Sequence, residues 1–536
     1  MMIADLLVVV CCLHVVAVTS NVEDAQFWND QTQALLNKYL HTEYNCGVAK
    51  NAILFIGDGM GLPSQFAGRI LKGQMEGKTG EEEFLEWEKW QHTGLAKTYN
   101  TDFQVPDSAG TATAYLSGVK GKKGTIGLDD TLVERGHCPS AEGATVLSIC
   151  DWAQAEGKST GLVTTARVMD ASPAGLYANA PERNWEIDTE GNTDCKDITR
   201  QLIEDDPGRK INVILGGGRS RFTPITQADV EYPDTYGRRP DGRNLIDEWT
   251  EQMTANGFNH AYVWNVTQFN DIEPESTDYL LGIFEPGEIP NIVDNTPDEA
   301  RNPTLAQMVK KAIEILRRNP NGYYLFVESS NIDSAHHGGR AAAAINEVVV
   351  LDAAVKVAMD VTDSKDTLMV LTADHSHSMT TAGNSVRGTP IFGTASEVSD
   401  VDGMPYTTLL YAAGTGYDPS PRRNLTGVDT ADPNFKQDAA IPNSDAPHSG
   451  EDVAVFANGP MAHLFRGNFE QTFVAHAMAY AMCVGSNKQH CTEKIGICST
   501  GDSGVDPTGT AVAHRLTNGL VYLAIVNIFI VLNQYI

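Results

Sequence analysis

The sequence predicts an α/β fold in which a large, mostly parallel sheet is flanked by helices on both faces. Four short apolar runs, each followed by polar residues, occupy positions 52–56, 161–163, 324–327 and 368–371. Strands that are apolar throughout and separated by helical stretches are typical of a parallel sheet buried on both faces. Ligands bind beyond the carboxyl ends of such strands, so the functional site is predicted at one edge of this sheet.

The chain has 536 residues, enough for one large α/β core, and a formal net charge of −30. Such a surface disfavours binding to nucleic acid or acidic membranes, since both are polyanions. It does not exclude an anionic substrate, because bound metal ions can make a pocket locally positive. We therefore expect no nucleic-acid partner.

The first 20 residues are predicted to be a signal peptide, since an apolar stretch at 6–18 leads into small residues. The mature chain would then begin near Asn21 and enter the secretory pathway. Residues 21–499 are predicted to form the catalytic domain.

The C-terminal segment 500–536 is predicted to be a linker and a GPI-attachment signal that is removed on maturation. An apolar stretch at 519–532 follows a polar spacer, and small residues around Asp502 and Ser503 precede it as attachment sites. The alternative is a tail-anchoring helix, but a spanning helix needs about 20 apolar residues. We therefore expect a GPI-anchored protein on the extracellular face of the cell membrane.

A secreted chain is expected to form disulfides and to carry glycans. Two of the nine cysteines, Cys11 and Cys12, fall in the predicted signal peptide, which leaves seven. Cys483 and Cys491 are close enough in sequence for a local bridge. The sequons at Asn265 and Asn424 predict N-glycosylation.

Two further segments stand apart from the predicted sheet. Apolar residues at helical spacing predict a helix over 24–40, which would cover either a partner subunit or its own core. Segment 383–447 is rich in Gly, Pro, Asp and Asn, with a β-like run at 406–412. We interpret it as an inserted, crown-like surface subdomain; the alternative is a series of loops.

The predicted strand ends carry a set of metal-binding side chains. Asp58, Glu328, Asp374 and His375 each follow an apolar run, so separate strands would deliver them to one sheet edge. Taken singly, each has an ordinary structural explanation, but their density favours a metal site. A carboxylate and hydroxyl set such as Asp58, Ser172 and Glu328 favours magnesium.

Histidines add a second group of candidate ligands. Asp333 and His337 are one helical turn apart, so both can point at one ion. His375 and His377 alternate at a strand end, and His448 follows later in the chain. Mixed imidazole and carboxylate ligands favour zinc, and a two-zinc site suits in-line phosphoryl displacement.

Ser108 is the candidate nucleophile. It follows Pro106 at the start of a small, Ala-rich run that ends at Gly118, which places it in the first turn of a predicted helix. Asp-Ser at a helix start is usually only a cap. Beside metal ligands, however, the amide donors there would stabilise an alkoxide and an incoming phosphate. A metal would then take the place of a histidine base.

Four motifs closely resemble the alkaline phosphatase family, in its animal GPI-anchored form. They are Phe-Ile-Gly-Asp-Gly-Met-Gly at 55–61, Asp-Ser-Ala-Gly-Thr-Ala-Thr-Ala at 107–114, Thr-Ala-Asp-His-Ser-His at 372–377 and His-Ser-Gly-Glu-Asp-Val-Ala-Val-Phe at 448–456. They occur in the family's order, and the similarity runs from about Phe27 to Cys491. The resemblance implies a homodimer that hydrolyses small phosphate monoesters at alkaline pH through a covalent phosphoserine at Ser108.

The resemblance also implies the ligands of each ion. The implied sites are a first zinc at Asp333, His337 and His448 with His377 nearby, a second zinc at Asp58, Asp374, His375 and Ser108, a magnesium at Asp58, Ser172 and Glu328, and a calcium at Glu231, the Phe284 carbonyl, Glu285 and Asn302. Arg183 matches the phosphate-clamping arginine, whose fork suits two phosphoryl oxygens. The implied disulfides are Cys138 with Cys195 and Cys483 with Cys491, leaving Cys46, Cys150 and Cys498 unassigned.

This sequence departs from the family's pattern at several positions near the implied ions. Asp170 and Ser334 stand beside the magnesium where vertebrate members typically carry histidines, and groups outside the direct ligands tune metal affinity and rate. Asn302 replaces the usual Asp of the calcium site. Ser-Ser-Asn at 329–331 replaces the usual Gly-Gly-Arg.

Two other functions remain open from the sequence. The first is a phosphodiesterase or sulfatase on the same scaffold, since a fold does not fix its substrate. The serine nucleophile, the clamping arginine and the magnesium set favour the monoesterase. The second is a catalytically inactive binding protein, which would be expected to have lost Ser108 or a direct ligand; none is missing.

Overall fold

The computed structural model describes residues 23–187, 195–294, 302–419 and 421–491. The predicted signal peptide, the predicted GPI signal with Asp502 and Ser503, and Cys498 lie outside these ranges. Among the described residues, no helix combines the length and the apolar character needed to span a bilayer.

The structure contains strands and helices along the whole described chain. The strands are β1 (Asn51–Gly57), β2 (His92–Lys97), β3 (Ser159–Arg167), β4 (Val213–Gly217), β5 (His260–Val263), β6 (Tyr279–Ile283), β7 (Tyr323–Ser329), β8 (Thr367–Ala373), β9 (Ser376–His377), β10 (Met379–Thr381), β11 (Leu409–Gly414), β12 (Ala439–Pro442), β13 (His448–Ser449), β14 (Val453–Asn458) and β15 (Gly467–Glu470). The α-helices are α1 (Ala25–Leu40), α2 (Leu62–Met75), α3 (Ser108–Ser117), α4 (Ile149–Ala155), α5 (Ala171–Ala174), α6 (Ile198–Glu204), α7 (Arg219–Phe222), α8 (Leu245–Ala255), α9 (Val266–Asn270), α10 (Leu305–Leu316), α11 (Asn331–His337), α12 (Ala341–Val361) and α13 (Phe473–Met482).

Ten of these strands form one sheet in the order β15-β2-β14-β8-β1-β7-β3-β4-β6-β5. Of these ten, only β14 runs antiparallel to its neighbours. All residues of β1, β7 and β8 are buried, as expected for strands covered on both faces. The four predicted strands all lie in this sheet, so the predicted mostly parallel α/β fold is confirmed.

The register of the central strands creates the site edge. Gly57 at the end of β1 lies beside Ser329 of β7 and Ala373 of β8. The residues that follow therefore leave the sheet at the same level. Helices α4, α10 and α12 pack against these strands and bury their side chains.

Helix α1 forms where the apolar spacing predicted it, with Asp24 as its N-cap. None of its residues is buried. Its exposed side chains include Phe27, Trp28, Leu35, Leu36 and Leu40. Within the described chain, this helix therefore does not cover a core of its own subunit.

Segment 383–447 contains strands as well as loops. Strands β11 and β12 lie inside it and pair with each other, and β11 also pairs with β10 just before it. These three strands form a small sheet distinct from the large one. The boundaries of an inserted subdomain stay a prediction.

Both predicted disulfides are present. Cys138 is bonded to Cys195, and Cys483 to Cys491. Of the two other cysteines in the described ranges, Cys46 is also disulfide-bonded and Cys150 is free and buried.

Candidate active site

Ser108 lies in the first turn of α3, as the sequence predicts. Asp107 is the N-cap, and its side chain accepts a hydrogen bond from the Gly110 amide at 3.2 Å. Gly118 ends the helix in the left-handed conformation with φ of 70°. The Ser108 hydroxyl is buried and lies 3.3 Å from His375 Nε2. The serine hydroxyl therefore lies beside the candidate ligands at the sheet edge.

The first group of candidate ligands, which we call the acidic cluster, consists of Asp58, Asp374 and His375. Their ligand atoms all lie within 4.8 Å of one another. His375 Nε2 is 3.1 Å from Asp374 Oδ2 and 3.6 Å from Asp58 Oδ1. The Gly59 amide donates to Asp374 Oδ1 at 2.9 Å. The ends of β1 and β8 therefore bring these three side chains together, as predicted.

The second group, the histidine cluster, consists of Asp333, His337, His377 and His448. Its ligand atoms also lie within 4.8 Å of one another. Asp333 and His337 are both on α11, with His337 Nε2 3.3 Å from Asp333 Oδ2. His448 Nε2 lies 3.0 Å from His337 Nε2 and 3.4 Å from Asp333 Oδ1. His377 Nε2 contacts Asp333 Oδ1 directly.

Backbone carbonyls orient two of these imidazoles. His448 Nδ1 is 2.9 Å from the Pro106 carbonyl, and His375 Nδ1 is 3.2 Å from the Ser376 carbonyl. A carbonyl only accepts, so the Nδ1 of each ring carries the proton and Nε2 keeps its lone pair. This arrangement is typical of metal-ligating histidines.

In the described chain, no lysine or arginine lies within salt-bridge distance of the buried carboxylates Asp58, Asp374 and Glu328, which repel one another. Burial, followed by the neighbouring charges of Asp374, Asp333 and Glu328, raises the pKa of Asp58 well above its usual range. Burial likewise raises the pKa of Asp374 to about 6 and that of Glu328 to about 8. Carboxylates with such shifts are stable as anions only beside a cation. The acidic cluster and Glu328 therefore fit metal ions.

Glu328 and Ser172 lie next to the acidic cluster, in a cavity of about 40 Å³ that Asp58, Ser108 and Arg183 also line. Glu328 accepts a hydrogen bond from Thr164 Oγ1 at 2.5 Å. In the described chain, Asp58 Oδ1 and Ser172 Oγ are buried and have no hydrogen-bond partner. Free oxygens of this kind fit a hard cation such as magnesium.

Arg183 enters the same cavity, held between two carboxylates. Its Nη1 donates to Asp107 Oδ2 at 3.2 Å and its Nη2 to Asp170 Oδ1 at 3.3 Å. A guanidinium has five N–H donors, so others remain for phosphoryl oxygens. Burial alone would raise the pKa of Asp170, but Arg167 and Arg183 outweigh it and lower the pKa. Unlike the acidic cluster, this group is balanced by its own side chains.

The departures from the family's pattern are accommodated by polar contacts. Asp170 caps α5, and Ser334 Oγ donates to Glu288 Oε2 at 3.4 Å. Ser330 Oγ lies 3.0 Å from Thr165 Oγ1, and Asn331 Nδ2 donates to the Ile289 carbonyl at 3.0 Å. The replaced stretch therefore faces inward.

The predicted calcium ligands lie outside this cavity. Asn302 Nδ2 donates to Glu285 Oε1 at 2.7 Å, and Arg219 Nη2 to Glu231 Oε2 at 3.2 Å. Tyr232 OH reaches Glu285 Oε1 at 3.3 Å, which links the two segments. Asn302 Oδ1 is buried without a hydrogen-bond partner in the described chain, as expected of a free ligand oxygen.

Sequence reasoning missed several polar groups of the site. Asp107 was interpreted only as a cap, although it also holds Arg183. Thr111 Oγ1 donates to Asp374 Oδ2 at 3.3 Å, and its position one turn after Ser108 was the available signal. Arg167 belongs to the polar run that follows the predicted strand at 161–163, but no role was predicted for it, and Glu288 carried no motif that pointed to the site.

Known proteins match this chain over most of its length. The family model described as alkaline phosphatase matches residues 49–484. An alkaline phosphatase of Gadus morhua is 48% identical over 87% of this chain and 98% of its own. The tissue-nonspecific isozyme of Homo sapiens is 45% identical over 90% of this chain and 93% of its own.

Solved structures show the same fold at lower sequence identity. The alkaline phosphatase of Thermus thermophilus gives a TM-score of 0.60 at 21% identity, covering 83% of this chain and 93% of its own. That of the Antarctic bacterium TAB5 gives a TM-score of 0.55 at 19% identity, covering 82% of this chain and 100% of its own. The family match and the close relatives show that this chain belongs to the alkaline phosphatase family and is a metal-dependent hydrolase of phosphate monoesters.

Proposed function

We propose that this enzyme hydrolyses phosphate monoesters in two in-line displacements, with Ser108 as the nucleophile and two zinc ions and one magnesium ion as cofactors. The observation that carries the proposal is the position of the Ser108 hydroxyl, which is buried at the start of α3 and 3.3 Å from His375 Nε2. In the described chain, no lysine or arginine lies within salt-bridge distance of a carboxylate of the acidic cluster, which supports a site completed by cations.

The donor sets support three ions. Asp333, His337 and His448 would hold the first zinc with His377 beside them, the acidic cluster and Ser108 the second, and Asp58, Ser172 and Glu328 the magnesium. When bound, the ions lower the pKa of coordinated hydroxyl groups and neutralise the charge of the transferring phosphoryl group. The imidazole-containing sets favour zinc, and the set of oxygen ligands alone favours magnesium.

The protein's own groups position the reacting atoms. The first-turn amides of α3 give the Ser108 oxygen a positive local environment, which favours its alkoxide and the incoming phosphate. Arg183 binds two phosphoryl oxygens of the substrate through the N–H donors that its bonds to Asp107 and Asp170 leave free. Ser108 then attacks phosphorus, the alcohol leaves, and water releases phosphate from phosphoserine in the second displacement.

The test is Ser108→Ala. Acid quenching with labelled phosphate is expected to trap phosphoserine in the wild-type protein and none in the variant, while zinc content stays near normal because Asp58, Asp374 and His375 remain. Phosphoserine in the variant would show that the nucleophile is another residue. Parallel assays with a phosphate diester and a sulfate ester distinguish the monoesterase from the two related activities.

A calcium ion at Glu231, Glu285, Asn302 and the Phe284 carbonyl is part of the same proposal. The free Asn302 Oδ1 supports it, whereas the bond from Arg219 to Glu231 weakens the negative charge available to the ion. Calcium is therefore expected to bind more weakly than at a site with a third carboxylate. Titration of the purified protein with calcium, followed by thermal unfolding, tests this.

We also infer a homodimer, anchored by GPI on the extracellular face of the cell membrane and glycosylated at Asn265 and Asn424. The exposed apolar side chains of α1 support dimerisation, since a contiguous apolar patch on a protein surface often marks a contact with a partner. Deletion of residues 24–40 is expected to shift the sedimentation of the protein toward the monomer. Release by a phosphatidylinositol-specific phospholipase tests the anchor, and deglycosylation followed by mass spectrometry tests the glycans.

A further inference from the structure

Arg167 is a second arginine beside the site, and the proposed reaction gives it no role. It ends β3, where the pairing with β4 shifts register between Val163 and Arg167. The Asp170 amide donates to its carbonyl at 2.9 Å, so the chain turns back between these residues. This turn places the side chain of Arg167 next to that of Asp170, which lines the cavity.

The guanidinium of Arg167 contacts three carboxylates at once. Its Nη2 donates to Asp170 Oδ2 at 2.6 Å, and its Nε to Glu186 Oε1 at 2.9 Å. Its Nη1 contacts Glu288, which also accepts from Ser334. The side chain of Arg167 is only 19% exposed, so these contacts are poorly screened by water.

The two oxygens of Asp170 are divided between the two arginines. Oδ2 is bound by Arg167, whereas Oδ1 accepts from Arg183 at 3.3 Å and from the Ala171 amide at 2.7 Å. The carboxylate is planar and rigid. Because Arg167 holds Oδ2, it also fixes the position of Oδ1 relative to Arg183. No other arginine or lysine of the described chain contacts Asp170.

We infer that Arg167 is a positioning residue for phosphate binding, acting through Asp170 on Arg183; the inference rests on the proposed role of Arg183. Without Arg167, Asp170 carries an unshared charge that competes with phosphate for the Arg183 guanidinium. Phosphate binding then weakens, and release of the product becomes easier. Arg167 touches neither substrate nor reacting atoms, so its effect depends on the presence of Asp170.

The test is a double-mutant cycle of Arg167→Gln and Asp170→Asn in the metal-loaded enzyme. The dissociation constant of inorganic phosphate, measured by calorimetry, is expected to rise about tenfold in Arg167→Gln. This is the scale of effects from residues that contact metal ligands or substrate groups indirectly. In the Asp170→Asn background, the same substitution is expected to change phosphate binding less than twofold. In steady-state kinetics, Arg167→Gln is expected to raise KM without lowering kcat, since the product leaves more easily.

Arg221→Gln is the matched control. Arg221 Nε donates to Glu186 Oε2 at 2.8 Å in the same charged group, but it does not contact Asp170. Its loss is expected to leave phosphate binding within twofold of wild type. An equal effect of Arg167→Gln with and without Asp170, or an equal loss in Arg221→Gln, would overturn the inference.

Failure of the inference can be separated from failure of the proposed function. If Ser108 is labelled normally and Arg183→Lys weakens phosphate binding, but the cycle shows no coupling, then only the role of Arg167 is wrong. If Arg167→Gln does not fold, Arg167→Lys supplies the second route. Lysine keeps the positive charge but cannot contact Asp170, Glu186 and Glu288 at the same time, so phosphate binding is expected to weaken by less than in Arg167→Gln.

Discussion

The acidic cluster and the group around Arg183 are both buried beside Ser108, but only the second contains its own counter-charges. In the described chain, Asp58 and Asp374 lie beside His375 with no lysine or arginine within salt-bridge distance, and burial raises the pKa of both carboxyl groups. Asp170 is equally close to the cavity, yet its pKa is lowered, because Arg167 and Arg183 outweigh its burial.

This difference shows in which part of the site the protein's own side chains neutralise the buried charge. A buried carboxylate costs free energy unless it is paired. The arginine group satisfies this condition with side chains, so it can form with the fold. The acidic cluster requires ions from solution. Folding brings its side chains together, but only bound ions can neutralise their charge.

Of the changes that test this comparison, metal removal is expected to lower activity the most. Chelation should lower kcat/KM by at least about a thousandfold, since the ions stabilise the charge of the transition state. Zinc and magnesium together should restore it, and metal content is measured alongside activity. Full activity of protein shown to be metal-free would contradict the assignment of the acidic cluster.

Arg183→Lys is expected to cost less, about a hundredfold in kcat/KM, which is the scale of losing one oriented donor in an active site. Lysine keeps the positive charge, but cannot contact Asp107, Asp170 and phosphate at the same time. Steady-state kinetics with an aryl phosphate measures the loss. Activity near wild type would mean that charge alone, and not the fork geometry, matters here.

The double substitution Asp170→His with Ser334→His exchanges the self-balanced arrangement for the pair of residues typical of vertebrate relatives. Removing the carboxylate leaves Arg167 and Arg183 with less negative charge, so phosphate should inhibit more strongly and turnover should fall, each by up to about tenfold. Magnesium should bind more weakly. Inhibition by phosphate and magnesium titration are the measurements; unchanged or tighter magnesium binding would contradict the expectation.

Glu347 provides a buried carboxylate that has no lysine or arginine partner among the described residues and lies outside the candidate metal clusters. Burial raises its pKa from the ordinary 4.5 to about 7, although Glu347 Oε1 accepts from the Ile292 amide at 2.5 Å. The folded state therefore holds the proton more tightly than the unfolded state, and stability falls as pH rises from 4.5 to about 7.

Glu347→Gln should remove this pH dependence, which amounts to about 3 kcal/mol at most. Thermal unfolding of both proteins at pH 5 and pH 8 measures it, with the metals present throughout. We expect the variant to be the more stable protein at pH 8 and to differ little at pH 5. An equal loss of stability with pH in both proteins would show that other groups cause it.

Local parts of the site could be predicted because neighbouring residues fix them. The Asp107 cap, the first turn with Ser108 and the left-handed Gly118 follow from residues within one helix. Asp333 and His337 share a face of α11 because they are four residues apart. Asp58 and Asp374 follow strands whose apolar composition already predicted burial.

The sequence by itself predicted the candidate ligands and the candidate nucleophile, and it determined the sheet edge at which they meet. Only the tertiary structure decided which charges balance one another. His448 lies opposite His377 because β13 pairs with β9, and Arg167 reaches Glu288 across an even longer separation in sequence. Electrostatic energy depends on distances and burial in the folded chain, and these are set by packing between elements that no local pattern connects.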